Sequence, residues 1–565
     1  MPKKSSPLIN KLIKAFDQDG YDVNPISDVI EHDGKIGIRA THKTATIGRT
    51  RKKKQAYYVE GDPHTMGYLM GTLAEPTIQR MCTEFNENII FDFINVKIKD
   101  EKLRKIIGDI LEDIVYLMSK PIYQDVPNEY IEEIEGMLEA CREVNGKTKV
   151  DRESLWVLNV GFDALLAFVY TGLFPHKKVY PIAIKPTLLN LPISCNAFSA
   201  FGRNPQANAD YHYFGRDFMF PTADVYQDTA CIIIRNPENG LPTVSVAAPG
   251  MIGTIAGMNR NGVGVGLDML PGSNCDPKRP GFNSLLLTRH CIQHGENCER
   301  AVDIIVDAQR GITWDYVLAD GSNDKSCLVE AGMTSEQIKY LDYIDPWTVK
   351  ALKTVDPNFE ILLDHLSTPQ RRGVMVRWND YAYPDIYQKF NPSLINAYRD
   401  KKKKYDYQYD PADFSERGYL NKSTKDKNCP GLFYFPPQKE KKMNMVLATN
   451  HQIIPEMRLC AMNDRIEIIA ASKLDDIQWR YDELNNQLLT ILDKGYMTYQ
   501  EAKDAIDFLA PYGRFPKYYN KNNDPLNQVQ IHGSVSIMDL KAKTIEAHYG
   551  YYSDEWIKIT LDNYL

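Results

Sequence analysis

LPISCNAFSAFG at residues 191–202, followed by YHYFGRDFMF at 211–220, is the stretch on which the reading of the fold turns. Cys195 heads an extended run, and Arg216 lies one strand-length downstream on the next. A thiol becomes a strong nucleophile when a neighbouring cation stabilises its thiolate, and Arg216 is placed to supply that charge. By residue type alone a cysteine is equally a small buried hydrophobe, and with ten cysteines in the chain residue type decides nothing.

Outward from Cys195 the texture is short β-branched and aromatic runs with hairpin turns at Asn239-Gly240, Asn261-Gly262 and Asp320-Gly321. Helical stretches are expected at about 284–309 and 477–493. Before Cys195 the chain reads as mainly helical after a hairpin signal at Asp33-Gly34. Leu103, Ile106, Ile107, Ile110, Leu111, Ile114, Val115, Leu117 and Met118 follow helical spacing and read as packing faces, and Pro127 opens a second helix. Strands and helices are thus partly segregated, which is the pattern of an α+β layered domain. The expected division is a segment 1–194, mainly helical and packing on a core of residues 195–565, with a polar insertion at about 396–442 that reads as a solvated loop or lid.

The chain has 565 residues, with 67 Lys plus Arg against 74 Asp plus Glu, a net −7. That balance argues against general nucleic-acid binding. No apolar run approaches the roughly 18 residues that span a bilayer. The N-terminal stretch lacks the apolar region of a secretory leader and reads as a short amphipathic helix over residues 8–16. The cysteines form no CxxC pair, so a reducing, cytoplasmic location is expected. GVGVG at 262–266 follows a hairpin turn without dinucleotide-loop spacing, and sheet packing accounts for it. His290 and His294 lie four apart with Cys291 and Cys298 nearby; no second ligand cluster completes the spacing, and no metal site is expected.

Seven segments occur in an order that resembles the autoprocessing cysteine Ntn hydrolases of the isopenicillin-N acyltransferase type, relatives of the bile-salt hydrolases and penicillin V acylases. They are YVEGDPHTMGYLMG at 58–71, ISCNAFSAFG at 193–202, HYFGRDFM at 212–219, IAGMNRNGVGVGLDML at 255–270, LATNHQ at 447–452, WRYDEL at 479–484 and HGSVSIMDLKAKTIEAHYG at 532–550. The resemblance runs from about Tyr57 to Gly550. It implies a four-layer αββα sandwich and an enzyme acting on a small acylated amine or amino-acid-type substrate through a Cys195 thioester.

It also implies that the precursor cuts itself between Ser194 and Cys195, so that one residue supplies both thiol and α-amine. The α-amine has a reference pKa of about 7.7–8.0 and can serve as the base. Arg216 matches the arginine beside the nucleophile, Asn450 the asparagine of the oxyanion hole, and Arg480 the arginine that closes the constellation. Asn259 and Asp268 fall in the segment expected to bind substrate. In two places the chain departs from the family. Met219 stands where an aspartate usually contacts the cysteine amine, and Asp217, two residues earlier on the same strand face, is expected to take that task. Asp268 stands where an asparagine is common; a carboxylate repels an oxyanion, so an amine of the substrate is its expected partner.

No metal or organic cofactor is required by this chemistry, although an acyl-coenzyme A donor fits it. Water as acceptor gives an amidase and an amine gives an acyltransferase. Association of the two self-cleaved fragments is expected, and a homo-oligomer is compatible. The departures also admit a catalytically silent binding protein on the same fold, or a cysteine hydrolase that acts without self-cleavage.

Overall fold

A computed structural model describes residues 6–48, 50–94, 98–173, 195–219, 224–270, 275–276, 278–334, 372–381, 420–421, 432–433, 443–450, 474–512, 530–531 and 533–565. Ser194 and nearly all of the polar insertion at 396–442 lie outside the described residues. Of the insertion only β14 (Leu420–Asn421) and β15 (Leu432–Phe433) are described, paired with each other.

The N-terminal amphipathic spacing forms α1 (Pro7–Gln18), capped where the Ser6 side chain accepts from the Ile9 N–H at 3.2 Å, with Leu12 and Phe16 turned inward. Four strands follow: β1 (Tyr21–Asp22), β2 (Val29–His32), β3 (Lys35–Thr46) and β4 (Lys53–Gly61). Asp33 and Gly34, both at positive φ, make the β2–β3 turn at the expected hairpin. Helices then predominate: α2 (Pro63–Arg80), α3 (Asn86–Ile94), α4 (Glu101–Ser119), α5 (Asn128–Val144), α6 (Arg152–Trp156) and α7 (Phe162–Leu173).

Two of these elements depart from the expectations. The segment before Cys195 does not only pack on the core: β4 pairs in parallel with β7 (Cys231–Pro237), Gln55 opposite Cys231 through Gly61 opposite Pro237. A parallel pair needs a long crossover, so nothing local in the sequence announces it. In α4, Val115 is buried and Leu111 and Met118 pack on the core, whereas Leu103, Ile106, Ile110, Ile114 and Leu117 stand exposed. The helix is apolar around more than one face, and only one face can meet the core.

Two of the motif glycines of 58–71, Gly67 and Gly71, serve helix contact. A Cβ on Gly67 would collide with the Glu133 carbonyl, and one on Gly136 with the His64 carbonyl, so α2 and α5 touch backbone to backbone. Gly136→Ala is expected to push the pair apart and cost about 1–3 kcal/mol, the range for overpacking a tight contact. Denaturant unfolding measures it; an unchanged midpoint would mean that the helices re-seat freely.

After Cys195 come β5 (Asn196–Asn204), β6 (Ala209–Met219), α8 (Asp224–Thr229), β7, β8 (Thr243–Ala247), β9 (Ala256–Asn259), β10 (Val263–Met269), α9 (Ser284–His294), α10 (Cys298–Asp307), β11 (Trp314–Asp320), β12 (Lys325–Ala331) and β13 (Val374–Trp378). The chain closes with β16 (Met445–Thr449), α11 (Leu474–Leu492), α12 (Tyr499–Tyr512), β17 (Gly533–Asp539), β18 (Thr544–His548) and β19 (Ile557–Thr560). The hairpins at Asn239-Gly240, Asn261-Gly262 and Asp320-Gly321 join β7–β8, β9–β10 and β11–β12 as expected.

One sheet runs β1-β3-β4-β7-β8-β9-β10-β11-β12-β13, with β2 beside β3; the other runs β16-β5-β6-β17-β18-β19. The sheets face each other. Ser199 Oγ on β5 lies 2.7 Å from Ser326 Oγ on β12, and Arg216 on β6 lies 3.0 Å from Asp268 on β10. Leu484 and Leu488 of α11 and Ala502 and Ile506 of α12 cover the outer face of the smaller sheet, against Phe198, Val535 and Ile537. On the larger sheet α9 and α10 lie against β10 and β12, and α2 against β4. The result is the expected four-layer αββα sandwich. No helix among the described residues is long and apolar enough to cross a membrane.

Candidate active site

Cys195 stands at the entry to β5, the second strand of the smaller sheet, between β16 and β6, and is buried. Its backbone N–H donates to Asn450 Oδ1 at 2.6 Å, and its carbonyl accepts from Arg480 Nη1 at 2.6 Å. Its thiol faces the Met219 carbonyl at 3.6 Å and also meets the Arg216 guanidinium. Four positions from three separate segments of the sequence therefore converge on one residue. Asn450 follows β16, whose register sets Thr449 opposite Asn196, and Arg480 projects from α11.

The two faces of β5 and β6 separate the constellation. Cys195, Ala197, Phe214 and Phe218 belong to the core between the sheets, while Phe198, Ala200, Tyr213 and Met219 pack against α11 and α12. Arg216 therefore shares the inter-sheet side with the thiol. Its approach depends on Gly266, where a Cβ would sit 2.8 Å from Arg216 Cδ. The GVGVG segment is sheet packing, and one of its glycines makes room for the arginine. Arg216 also donates to the backbone carbonyls of Asn196, Asp217 and Leu267. Burial alone would pull its pKa down; the carboxylate of Asp268 and the sulphur of Cys195 outweigh this and hold it charged.

Asp217 does not take the expected place. It shares a face with Met219, as strand alternation requires, but that face is turned to α11 and away from the thiol. Its Oδ2 accepts from Asn196 Nδ2 at 2.8 Å, and Arg480 Nη1 holds Asn196 Oδ1 at 2.6 Å. The Asp217 carboxyl thus reaches Cys195 through Asn196 and Arg480. Burial pushes its carboxyl up to about 8, against the Asn196 hydrogen bond and the charges of Arg216 and Arg480.

A carboxyl raised in this way favours the folded state while protonated, so its contribution is present at low pH and is lost as pH rises from the ordinary carboxylate range through about 8. Asp217→Asn keeps the shape and the acceptor for Asn196, and is expected to flatten that part of the stability profile, the difference from the wild type being smallest at the acid end and growing until the pH reaches about 8. Thermal melts from pH 5 to 10 measure it. An unchanged slope in the variant would mean that Asp217 is ionised throughout.

The contacts of Asn450 also differ from the oxyanion expectation. Its Oδ1 faces two donors, Cys195 N–H and Arg480 Nη2 at 3.1 Å, and its Nδ2 donates to the Met269 carbonyl at 2.8 Å. The donor set fixes which way the amide points. Asn450 holds the Cys195 nitrogen, and its amide nitrogen is turned to the Met269 carbonyl.

Asp268 is paired with Arg216 across the sheets rather than left for an amine of the substrate. On β10 it stands opposite Asp315 of β11, which stands opposite Glu330 of β12, so three buried carboxyls lie in a row. Burial, then Glu330 and Asp268, drive the Asp315 carboxyl well above the usual range. The sequence reading missed Asp315 and Glu330, although the Asp320-Gly321 turn does set the register that brings those two together. It also missed Asn196. Asn259 does not join the site: its Nδ2 donates to the Ile292 and Gly295 carbonyls and its Oδ1 accepts from the Asn261 and Val263 N–H groups. All its hydrogen-bonding capacity goes into its own turn and the end of α9.

An apolar pocket adjoins this constellation, walled by Phe162, Leu165, Phe218, Tyr226, Ile255 and Trp314, among others. Phe218 adjoins Met219, whose carbonyl meets the thiol, and Trp314 pairs across the ladder with Met269, whose carbonyl meets Asn450.

Residues 209–344 match the model of the acyl-coenzyme A:6-aminopenicillanic acid acyl-transferase family. That span contains Arg216, Asp217, Asp268 and Asp315. An uncharacterised protein of Archaeoglobus fulgidus is 25% identical over 515 residues, covering 89% of this chain; the chain spans 65% of that relative's length. Two variants of the conjugated bile acid hydrolase from Clostridium perfringens align over 65% of this chain and 92% of theirs, at 11% and 12% identity and a TM-score of 0.30. That likeness is too distant to bear on chemistry.

Proposed function

We propose that this chain is an Ntn-type enzyme of acyl transfer or amide hydrolysis in which Cys195 carries the acyl group as a thioester. One observation carries the reading. The nitrogen and carbonyl of a single cysteine are held by two different side chains, Asn450 and Arg480, and the charge of Arg216 acts on its sulphur. A cysteine that served packing alone would need none of these contacts.

In the processing step the Cys195 thiol attacks the carbonyl carbon of Ser194. The C–N bond breaks, the nitrogen takes a proton, and water then hydrolyses the Ser194 thioester to a carboxylate and the free thiol. The new α-amine stays against Asn450 Oδ1 and accepts the thiol proton in each later turnover. The substrate's acyl carbon is attacked next, its amine leaves, and water or a second amine resolves the thioester. An acyl-coenzyme A donor enters the same scheme with a thiol as leaving group. Arg216 stabilises the thiolate, and Asp268 acts through it as a positioning residue.

The bordering pocket selects an apolar acyl group. N-acyl amides of graded chain length, from acetyl to lauroyl, are expected to gain kcat/KM with length until the pocket is filled, and a slow substrate is expected to leave an acyl adduct on the fragment beginning at Cys195. Kinetics with intact mass spectrometry reads both. Neither turnover nor adduct across the series would favour the silent binding protein.

A further inference from the structure

We propose that Glu129, His290 and His294 form a site for one divalent transition-metal ion of the zinc class, which ties α5 to the last turn of α9. His290 and His294, at i and i+4, lie on one face of α9 with ring centroids 4.4 Å apart. The third donor arrives from α5, 165 residues from His294 in sequence. Glu129 Oε1 lies 3.3 Å from His290 Nδ1 and 3.0 Å from His294 Nε2. The three donor atoms all fall within 4.8 Å of one another, and among the described residues this is the group of His, Cys, Asp and Glu side chains so arranged.

The distances match a coordination shell. Zinc binds nitrogen and carboxylate oxygen at about 2.0–2.2 Å in a tetrahedron, so two donors on one ion stand about 3.3 Å apart. The Glu129–His290 and Glu129–His294 separations already have that length. Two imidazoles and a carboxylate suit zinc, cobalt, nickel or copper, whereas calcium and magnesium prefer oxygen donors throughout. The side chains of Glu129, His290 and His294 keep 20%, 23% and 29% of their exposure, so an ion can enter and water can fill the fourth place.

Neighbouring side chains orient the carboxylate. Gln293 Nε2 donates to Glu129 Oε2 at 2.8 Å and lies 3.3 Å from His294 Nε2, and Oε1 is the carboxylate oxygen within reach of both histidines. Gln293 Oε1 in turn accepts from Arg289 Nε at 3.2 Å, and Arg289 is anchored on Glu133 at 2.7 Å. In the metal-free chain the Tyr130 hydroxyl lies 3.0 Å from His290 Nδ1; an ion takes that lone pair and displaces the phenol contact. The site sits at the far end of α9 from Leu285, which lines the apolar pocket, so its effect is on the α5–α9 contact rather than on the Cys195 chemistry.

The test uses the full chain, stripped with a chelator and desalted, then titrated with Zn(II) by calorimetry and with Co(II) by visible absorbance. The expected result is one equivalent of either ion, Co(II) bands of tetrahedral intensity, and a higher Tm with Zn(II). Glu129→Gln and His294→Ala should each lose that equivalent and the Tm gain, while Cys195→Ala, which lacks the thiol, should keep both. Glu129→Gln is nearly isosteric, so it keeps the test valid if His294→Ala folds poorly. Absence of saturable binding, or binding and Tm gain undiminished in both variants, would overturn the proposal.

Discussion

Cys195→Ala protein is expected to remain one uncut chain and to show no acyl turnover, while the wild type resolves into fragments beginning at Met1 and at Cys195. The substitution removes the sulphur that attacks Ser194 and the sulphur that carries the acyl group, and both steps need the same atom. It removes little packing, because alanine fills most of the thiol's place between Ala197 and Phe218 in the inter-sheet core. The variant should therefore fold, which circular dichroism and a cooperative melt establish independently. Intact mass after prolonged incubation decides the matter. A wild type that stays whole but forms an acyl adduct on Cys195 would favour the enzyme that works without self-cleavage. Equal fragments from the alanine variant would sink the assignment of Cys195 to processing.

Asn450→Ala is expected to lower kcat by about 10²–10³-fold, the cost of losing one pre-positioned hydrogen-bonding group at a reaction centre. Which part of the amide matters is separable. Its oxygen holds the Cys195 nitrogen at 2.6 Å and Arg480 at 3.1 Å, and its nitrogen donates to the Met269 carbonyl. Asn450→Asp retains the two oxygen contacts, with Arg480 to balance the charge, and loses the donor. If holding the cysteine amine is the task, the aspartate variant should keep far more activity than the alanine variant. If the amide turns after cleavage to donate to an oxyanion, aspartate should be as damaging as alanine. Unchanged kcat in both variants would remove Asn450 from the mechanism.

Much of this was legible because it is local. The turns at Asp33-Gly34, Asn239-Gly240 and Asn261-Gly262 place a glycine at positive φ, and these and the turn at Asp320-Gly321 each join the strands they were expected to join. The apolar periodicity of α1, α4, α5 and α9 is a property of a dozen neighbouring residues. Cys195 and Arg216 came together because the next strand in sequence is also the next strand in the sheet.

What tertiary structure alone decided involves a choice between faces, or a partner far away along the chain. Alternation put positions 217 and 219 on one strand face, but only the stacking of the second sheet on the other side turned that face away from the thiol. Asp217 consequently serves Asn196 and not the amine. Asp268 acquired Arg216 as a partner because two sheets meet there, and Glu129 acquired His290 and His294 because α5 packs beside α9. Local backbone preference sets the period of a segment and the position of its turns. Which side of that segment is covered, and by which distant charge, follows from burial of the whole chain at once, and no window of sequence contains that information.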